Sequence, residues 1–224
     1  MIEALLLDFD GLMTDTETTD YESWRSVYED HGVVLPRNRW VASVGSDGSG
    51  FVPLEHLREL VGAIDEEHVQ ATRRARRAEL FEALVPLPGV ASWLDEAHGR
   101  GLRIGVVSSS PGWWVDEHLR RIALRQRVDF LMTADDVPRV KPHPDLYLRA
   151  LDLAGVAAER AIAVEDSPNG LQAAKAAALF CVCVPGPMTR GLDFSQADLV
   201  VDSLASHTPE AAVQAIGREP SAPR

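Results

Sequence analysis

The sequence has little cysteine, no long apolar run and few basic residues relative to its acidic ones. Only two of its 224 residues are cysteines, Cys181 and Cys183, so a disulfide framework is not indicated and a reducing compartment is expected. They stand two apart in the apolar run Phe180-Cys181-Val182-Cys183-Val184, where a strand would point both to one face. No stretch approaches the roughly 18 apolar residues of a membrane span. The first residues show neither the basic region nor the apolar core of a secretory signal, and a cytoplasmic location is the expectation. Lys and Arg number 22 against 34 Asp and Glu, a formal net charge of −12. A surface this acidic lacks the positive field that nucleic acid or an anionic membrane would require, so neither partner is expected. A small anionic substrate remains open, because a metal ion, one lysine and a few backbone N–H groups can hold it locally. The seven histidines form no His-Glu-x-x-His pair and the cysteines lack zinc spacing, which argues against a transition-metal hydrolase. The glycine-rich stretch 44–50 has no Gly-Lys-Ser/Thr and fits no dinucleotide fingerprint; it reads as a loop facing the active site. The serine cluster 108–110 lacks the Gly-x-Ser-x-Gly of an esterase elbow.

Beyond residue 88, short β-branched runs alternate with helical segments, the order of a parallel sheet covered by helices. Strands are predicted at 4–9, 102–108, 128–133, 160–165, 180–184 and 198–201, and helices at 90–98, 113–122, 144–154 and 170–178. Residues 15–87 contain no strand pattern and read as amphipathic helices at 17–31, 53–63 and 66–84. In the first of these Tyr21, Trp24, Val27 and Tyr28 recur at helical spacing. The organisation expected is an α/β core over 1–14 and 88–216, a helical cap over 15–87, and a disordered tail over 217–224. The connecting stretches 12–16 and 85–89 would be its hinges, the second stiffened by two prolines.

The polar residues that could do chemistry follow the strands, where open α/β sheets bind ligands. Asp8-Phe9-Asp10-Gly11 brings two carboxylates to one strand end. Such a pair favours a shared cation or a raised pKa, and also suits a turn that closes a strand. Ser108-Ser109-Ser110-Pro111 opens a helix, as a phosphate cradle or as a plain N-cap. Lys141-Pro142-His143-Pro144-Asp145 offers a lysine before a helix, and Glu165-Asp166-Ser167-Pro168-Asn169-Gly170 offers two more carboxylates or another cap.

Taken in this order, the segments resemble the haloacid dehalogenase-like superfamily of hydrolases, in the branch that includes β-phosphoglucomutase and small phosphatases. The resemblance rests on 8–15, 107–110, 141–145 and 165–170, which span nearly the whole chain. It implies a Rossmann-like parallel sheet core with an inserted helical cap after the first strand, in agreement with the insertion read from periodicity. It also implies Asp8 as the nucleophile that becomes a phosphoaspartate and Asp10 as general acid and base. Mg²⁺ would be held by Asp8, the backbone carbonyl of Asp10, Asp166 and, directly or through water, Glu165. Ser108, the backbone of Ser109, and Lys141 would hold the phosphoryl oxygens. Relatives that cleave carbon–halogen or carbon–phosphorus bonds lack an aspartate two residues after the nucleophile, so Asp10 points to phosphoryl chemistry.

The expected function is therefore Mg²⁺-dependent hydrolysis of a small phosphorylated metabolite, by a monomer or small homo-oligomer. A sugar phosphomutase and a phosphate-binding protein without turnover are the alternatives. Against the mutase, Asp20 stands where its pattern has a histidine, and the loop 44–50 lacks its phosphate-gripping arginine. Glu17 and Asp20, at the base of the cap, either contact substrate or cap the first helix. Arg73-Arg74-Ala75-Arg76-Arg77 spreads around a helix and reads as a solvated, ion-paired surface, with room for one arginine to face the cleft. Trp113 and Trp114 read as helix-packing residues, one of them able to shield the cleft.

Overall fold

The computed structural model describes residues 2–44, 50–215 and 217. Most of the glycine-rich loop 44–50, and all but the first residue of the expected tail, lie outside the described residues. Six parallel strands, β1 (Ala4–Leu7), β2 (Arg103–Val107), β3 (Phe130–Met132), β4 (Ala161–Glu165), β5 (Phe180–Cys183) and β6 (Leu199–Val200), form one sheet in the order β3-β2-β1-β4-β5-β6. This is the Rossmann-like α/β architecture expected. Each strand is one to three residues shorter than the stretch predicted for it, at one end or both.

Parallel strands covered on both faces are buried throughout, which explains the unbroken run Ala4-Leu5-Leu6-Leu7 at the centre of the sheet. Leu5 and Leu7 enter one apolar cluster with α5 (Val90–Gly99), α6 (Gly112–Arg121) and α9 (Pro209–Ala215). Ala4 and Leu6 enter the other, with α7 (Asp145–Ala154) and α8 (Pro168–Ala176). Cys181 and Cys183 do share a face, both buried and reduced, their sulfurs 3.8 Å apart.

Between β1 and α5 lie α1 (Thr16–Asp30), α2 (Arg37–Val41), α3 (Pro53–Val61) and α4 (Glu66–Glu82). They gather around a third apolar cluster built on Tyr21, Trp24, Val27 and Tyr28 of α1, with Trp40, Leu57 and Val69. The stretches that enter and leave this segment are tied together: Leu87 N–H donates to the Met13 carbonyl at 2.9 Å, and the Thr14 hydroxyl to the Val85 carbonyl at 2.9 Å. Gly89 ends the return stretch at φ +90°, and a Cβ there would fall 2.1 Å from the backbone nitrogen of Ala205. Gly89→Ala therefore meets an unfavourable backbone region and an immovable neighbour together. It is expected to lower stability by about 2 kcal/mol or more, read as a drop in the urea midpoint at unchanged slope.

Candidate active site

The strand order reverses between β1 and β4, and the residues that leave their carboxyl ends meet there. Asp8 follows β1, its amide bonded to the Val164 carbonyl at 2.9 Å. Glu165 closes β4 and Asp166 follows it. Ligand oxygens of Asp8, Glu165 and Asp166 lie within 4.8 Å of one another, and all three residues are buried. Lys141, only 2% exposed, reaches under them: Nζ donates to Asp8 Oδ1 at 2.5 Å and to the Val107 carbonyl at 2.7 Å, and lies 2.7 Å from Glu165 Oε1. The Tyr147 hydroxyl of α7 also donates to Glu165 Oε1.

One cation among three buried carboxylates leaves an excess of negative charge. Burial, then Glu165 and Asp10, push the Asp8 carboxyl up from 3.8 to about 8 although Lys141 pulls it back. Burial and then Asp8 hold Asp166 well above the usual carboxylate range. Burial alone would depress the Lys141 ammonium, yet Asp8 and Glu165 together raise it. Two oxygens, Glu165 Oε2 and Asp166 Oδ2, are buried without a hydrogen-bond partner. Orphaned buried acceptors of this kind are costly, and the all-oxygen donor set suits a hard divalent cation such as Mg²⁺. Gly11 lets the chain pass over this cluster: at φ +80° its missing Cβ would lie 2.3 Å from Asp166 Oδ2. Ser167 caps α8, accepting from the Gly170 amide at 3.2 Å. This segment is thus both a helix cap and part of the acidic cluster.

Asp10 points away from the cluster into a nest of four donors. Thr16 Oγ1 and Trp114 Nε1 donate to its Oδ1 at 2.7 and 3.0 Å, and Ser110 Oγ and Ser108 Oγ to its Oδ2 at 2.6 and 3.3 Å. Ser108 is buried behind it and accepts from the Ser110 amide at 3.0 Å, while Ser109 is half-buried in the same turn. Sequence reasoning placed Ser110 in the serine cluster without giving it a role, and read Trp114 as a packing residue able at most to shield the cleft; neither was expected to hold Asp10. The serine triplet was the signal for the first; no local pattern marks the second.

Beside Asp10 opens a cavity of about 360 Å³. Asp10, Ser110 and Trp114 line it from the sheet side, and Asp20, Arg73 and Arg77 from α1 and α4. Glu17 of α1 also lines it, its carboxyl pushed well up by burial and then by Asp10. Asp20 is not a free wall residue: its Oδ1 accepts from Arg73 Nη2 at 2.6 Å and from Arg77 Nε at 2.5 Å. The arginine run is thus only partly the solvated surface expected. Arg76 pairs with Asp30 at 2.6 Å and does not line the cavity, whereas Arg73 and Arg77, one helical turn apart and in line with Phe81, face it.

Residues 5–184 match the haloacid dehalogenase-like hydrolase family. The YhcW protein of Bacillus subtilis (strain 168) is 43% identical over 92% of this chain and 93% of its own. Hexitol phosphatase B of Escherichia coli (strain K12) is 32% identical over 92% of this chain and 95% of its own. Among solved structures, CbbY from Rhodobacter sphaeroides in complex with phosphate superposes with a TM-score of 0.72 at 29% identity, covering 92% of this chain and 96% of that one.

Proposed function

The chain belongs to the haloacid dehalogenase-like hydrolase family, and from that premise we propose that it hydrolyses a small phosphomonoester, a sugar phosphate or similar metabolite, through a phosphoaspartate on Asp8. The observation that carries this is the buried cluster of Asp8, Glu165, Asp166 and Lys141 beside Asp10 at the strand ends. Lys141 holds Asp8 Oδ1, which leaves Oδ2 as the attacking oxygen. Asp8 attacks phosphorus, the ester P–O bond breaks, and Asp10 gives the departing alkoxide its proton. Water then attacks the acyl phosphate and Asp10 takes the proton back. The bond between the Asp8 oxygen and phosphorus breaks, releasing inorganic phosphate and restoring the Asp8 carboxylate and the protonated Asp10. Splitting one difficult hydrolysis into two steps is the advantage of the covalent route.

The donors around Asp10 fix its carboxylate at the side of the cavity where the leaving group would sit. Ser108, the Ser109 backbone and Lys141 hold the phosphoryl oxygens as charge redistributes. Asp8, the Asp10 carbonyl and Asp166 would hold Mg²⁺, with Glu165 behind them. A bound Mg²⁺ supplies charge neutralisation between the nucleophile and the phosphate dianion. Hydrolysis is preferred to phosphomutation because Asp20, in place of the mutase histidine, is taken up by two arginines.

The test is phosphate release from a panel of sugar phosphates and p-nitrophenyl phosphate, with Mg²⁺ and with EDTA. Release that EDTA abolishes is expected; no release from folded protein would defeat the proposal. Without substrate, Mg²⁺ is expected to raise the melting temperature, the gain growing logarithmically with its concentration. Asp166→Asn should lose that response while melting no lower than the parent in EDTA, because burial and Asp8 already disfavour a charge at this position in the metal-free fold and the amide carries none.

A further inference from the structure

Resting on the phosphatase reading, we propose that Arg73 and Arg77 form a subsite for a second anionic group on the substrate, so that the leaving group itself carries a phosphate or a carboxylate. Both guanidinium groups converge on one oxygen, Asp20 Oδ1. Asp20 occupies no more than a few of their ten N–H donors, and Asp10, which lines the same cavity with Glu17, is engaged by four other donors. Arg73 Nε is buried with no hydrogen-bond partner.

The pair is rigidly mounted. Arg73 lies over the Trp24 ring at 4.8 Å, and Arg77 over Phe81 and Trp114 at 4.4 and 4.3 Å. Stacking and the shared Asp20 restrict both arginines before a ligand arrives, which reduces the entropy lost on binding. In a chain of net charge −12, these two arginines are the cations lining a cavity that also holds Asp10, Glu17 and Asp20. The wall they face is also informative. Trp114 carries Arg77 on its face and donates from its edge to Asp10 Oδ1. The distal subsite is thus about one indole away from the group proposed to protonate the leaving alkoxide. A phosphomonoester with a short polyol or hydroxyacid leaving group would span from one to the other. The bridging Asp20 makes no claim on such an anion; its role is to position the arginines.

The experiment compares matched substrates: a hexose monophosphate against the corresponding bisphosphate, and glycerol phosphate against phosphoglycerate. The parent is expected to favour at least one doubly anionic member in kcat/KM by about tenfold or more, the size of one or two charge-assisted hydrogen bonds. Preference for the bisphosphate alone would identify a distal phosphate, and for phosphoglycerate alone a distal carboxylate. Arg73→Gln and Arg77→Gln should collapse that ratio, chiefly through KM for the doubly anionic substrate. Arg76→Gln, on the same helix but outside the cavity lining, should keep it. If Arg77→Gln fails to fold, Arg73→Lys serves, since it keeps charge without the planar fork and should lower the ratio only in part. Equal use of both members by the parent, or a preference that survives both glutamine variants, would overturn the subsite and leave the phosphatase reading intact. No turnover of any substrate would remove both.

Discussion

Asp8→Asn is expected to lower kcat for phosphate release by at least about 10⁴-fold, the scale on which removal of an attacking nucleophile is felt, provided mass spectrometry excludes deamidation back to aspartate. An amide oxygen cannot form the acyl phosphate, while the shape of the side chain is kept. The fold should survive, because Lys141 retains the Glu165 carboxylate and the Val107 carbonyl. Stability gives an independent readout. The Asp8 carboxyl is pushed up from 3.8 to about 8 in the folded, metal-free protein, first by burial and then by Glu165 and Asp10. A group that binds its proton more tightly when folded contributes stability that is complete below its unfolded value and is lost as pH rises through its folded one. In EDTA the parent should therefore lose stability between pH 3.8 and about 8 through this group, and Asp8→Asn should lose less. Its advantage over the parent, followed by urea denaturation, is expected to widen across that window. A kcat close to the parent would remove Asp8 from the chemistry, and parallel stability curves would show that its charge is not strained in the fold.

Much of this site was legible because its parts stand beside strands. A run such as Ala4-Leu5-Leu6-Leu7 suits a strand buried on both faces at the centre of a parallel sheet, and a carboxylate just after such a strand emerges at the carboxyl edge. The same reasoning located Glu165 and Asp166 at the end of β4 and Ser108 after β2. Pairings across the chain were not legible. The Trp114 indole reaches an Asp10 that lies 104 residues away, and in a helix reading it is one more apolar residue on the buried side of α6. The arginines misled for a related reason. Their spread around a circumference describes a helix in water, but α4 packs along α1, and that contact selects Arg73 and Arg77 to meet Asp20. Their spacing of four, continued at Phe81, was the available clue. The short helix α2, Arg37–Val41, spans little more than one turn and leaves too few positions for a period to be read.

Lys141→Met tests how far the acidic cluster depends on its one contacting cation. Methionine fills nearly the same volume and keeps the packing against Tyr147, whose ring lies 5.4 Å from Nζ, but it leaves Asp8 and Glu165 unpaired in the interior. Breaking a buried ion pair from one side costs about 3–5 kcal/mol, and the loss should show in full at neutral pH. The sign follows from the raised ammonium: its contribution is complete below the unfolded value near 10.5 and fades only as pH rises beyond it. Two consequences separate this from simple loss of packing. Protonating the orphaned carboxylates restores neutrality, so the deficit in urea midpoint should shrink as pH falls towards 4. Mg²⁺ should restore more stability to Lys141→Met than it gives the parent, because a divalent cation beside Asp8 and Asp166 takes over part of the lost charge compensation. Activity should not return with it, since Mg²⁺ cannot replace the ammonium that holds Asp8 Oδ1 and is proposed to hold the phosphoryl oxygen. A variant as stable as the parent at neutral pH would mean that Asp8 and Glu165 share their charge with groups other than Lys141, and the assignment of this lysine as the counter-ion of the nucleophile would fall.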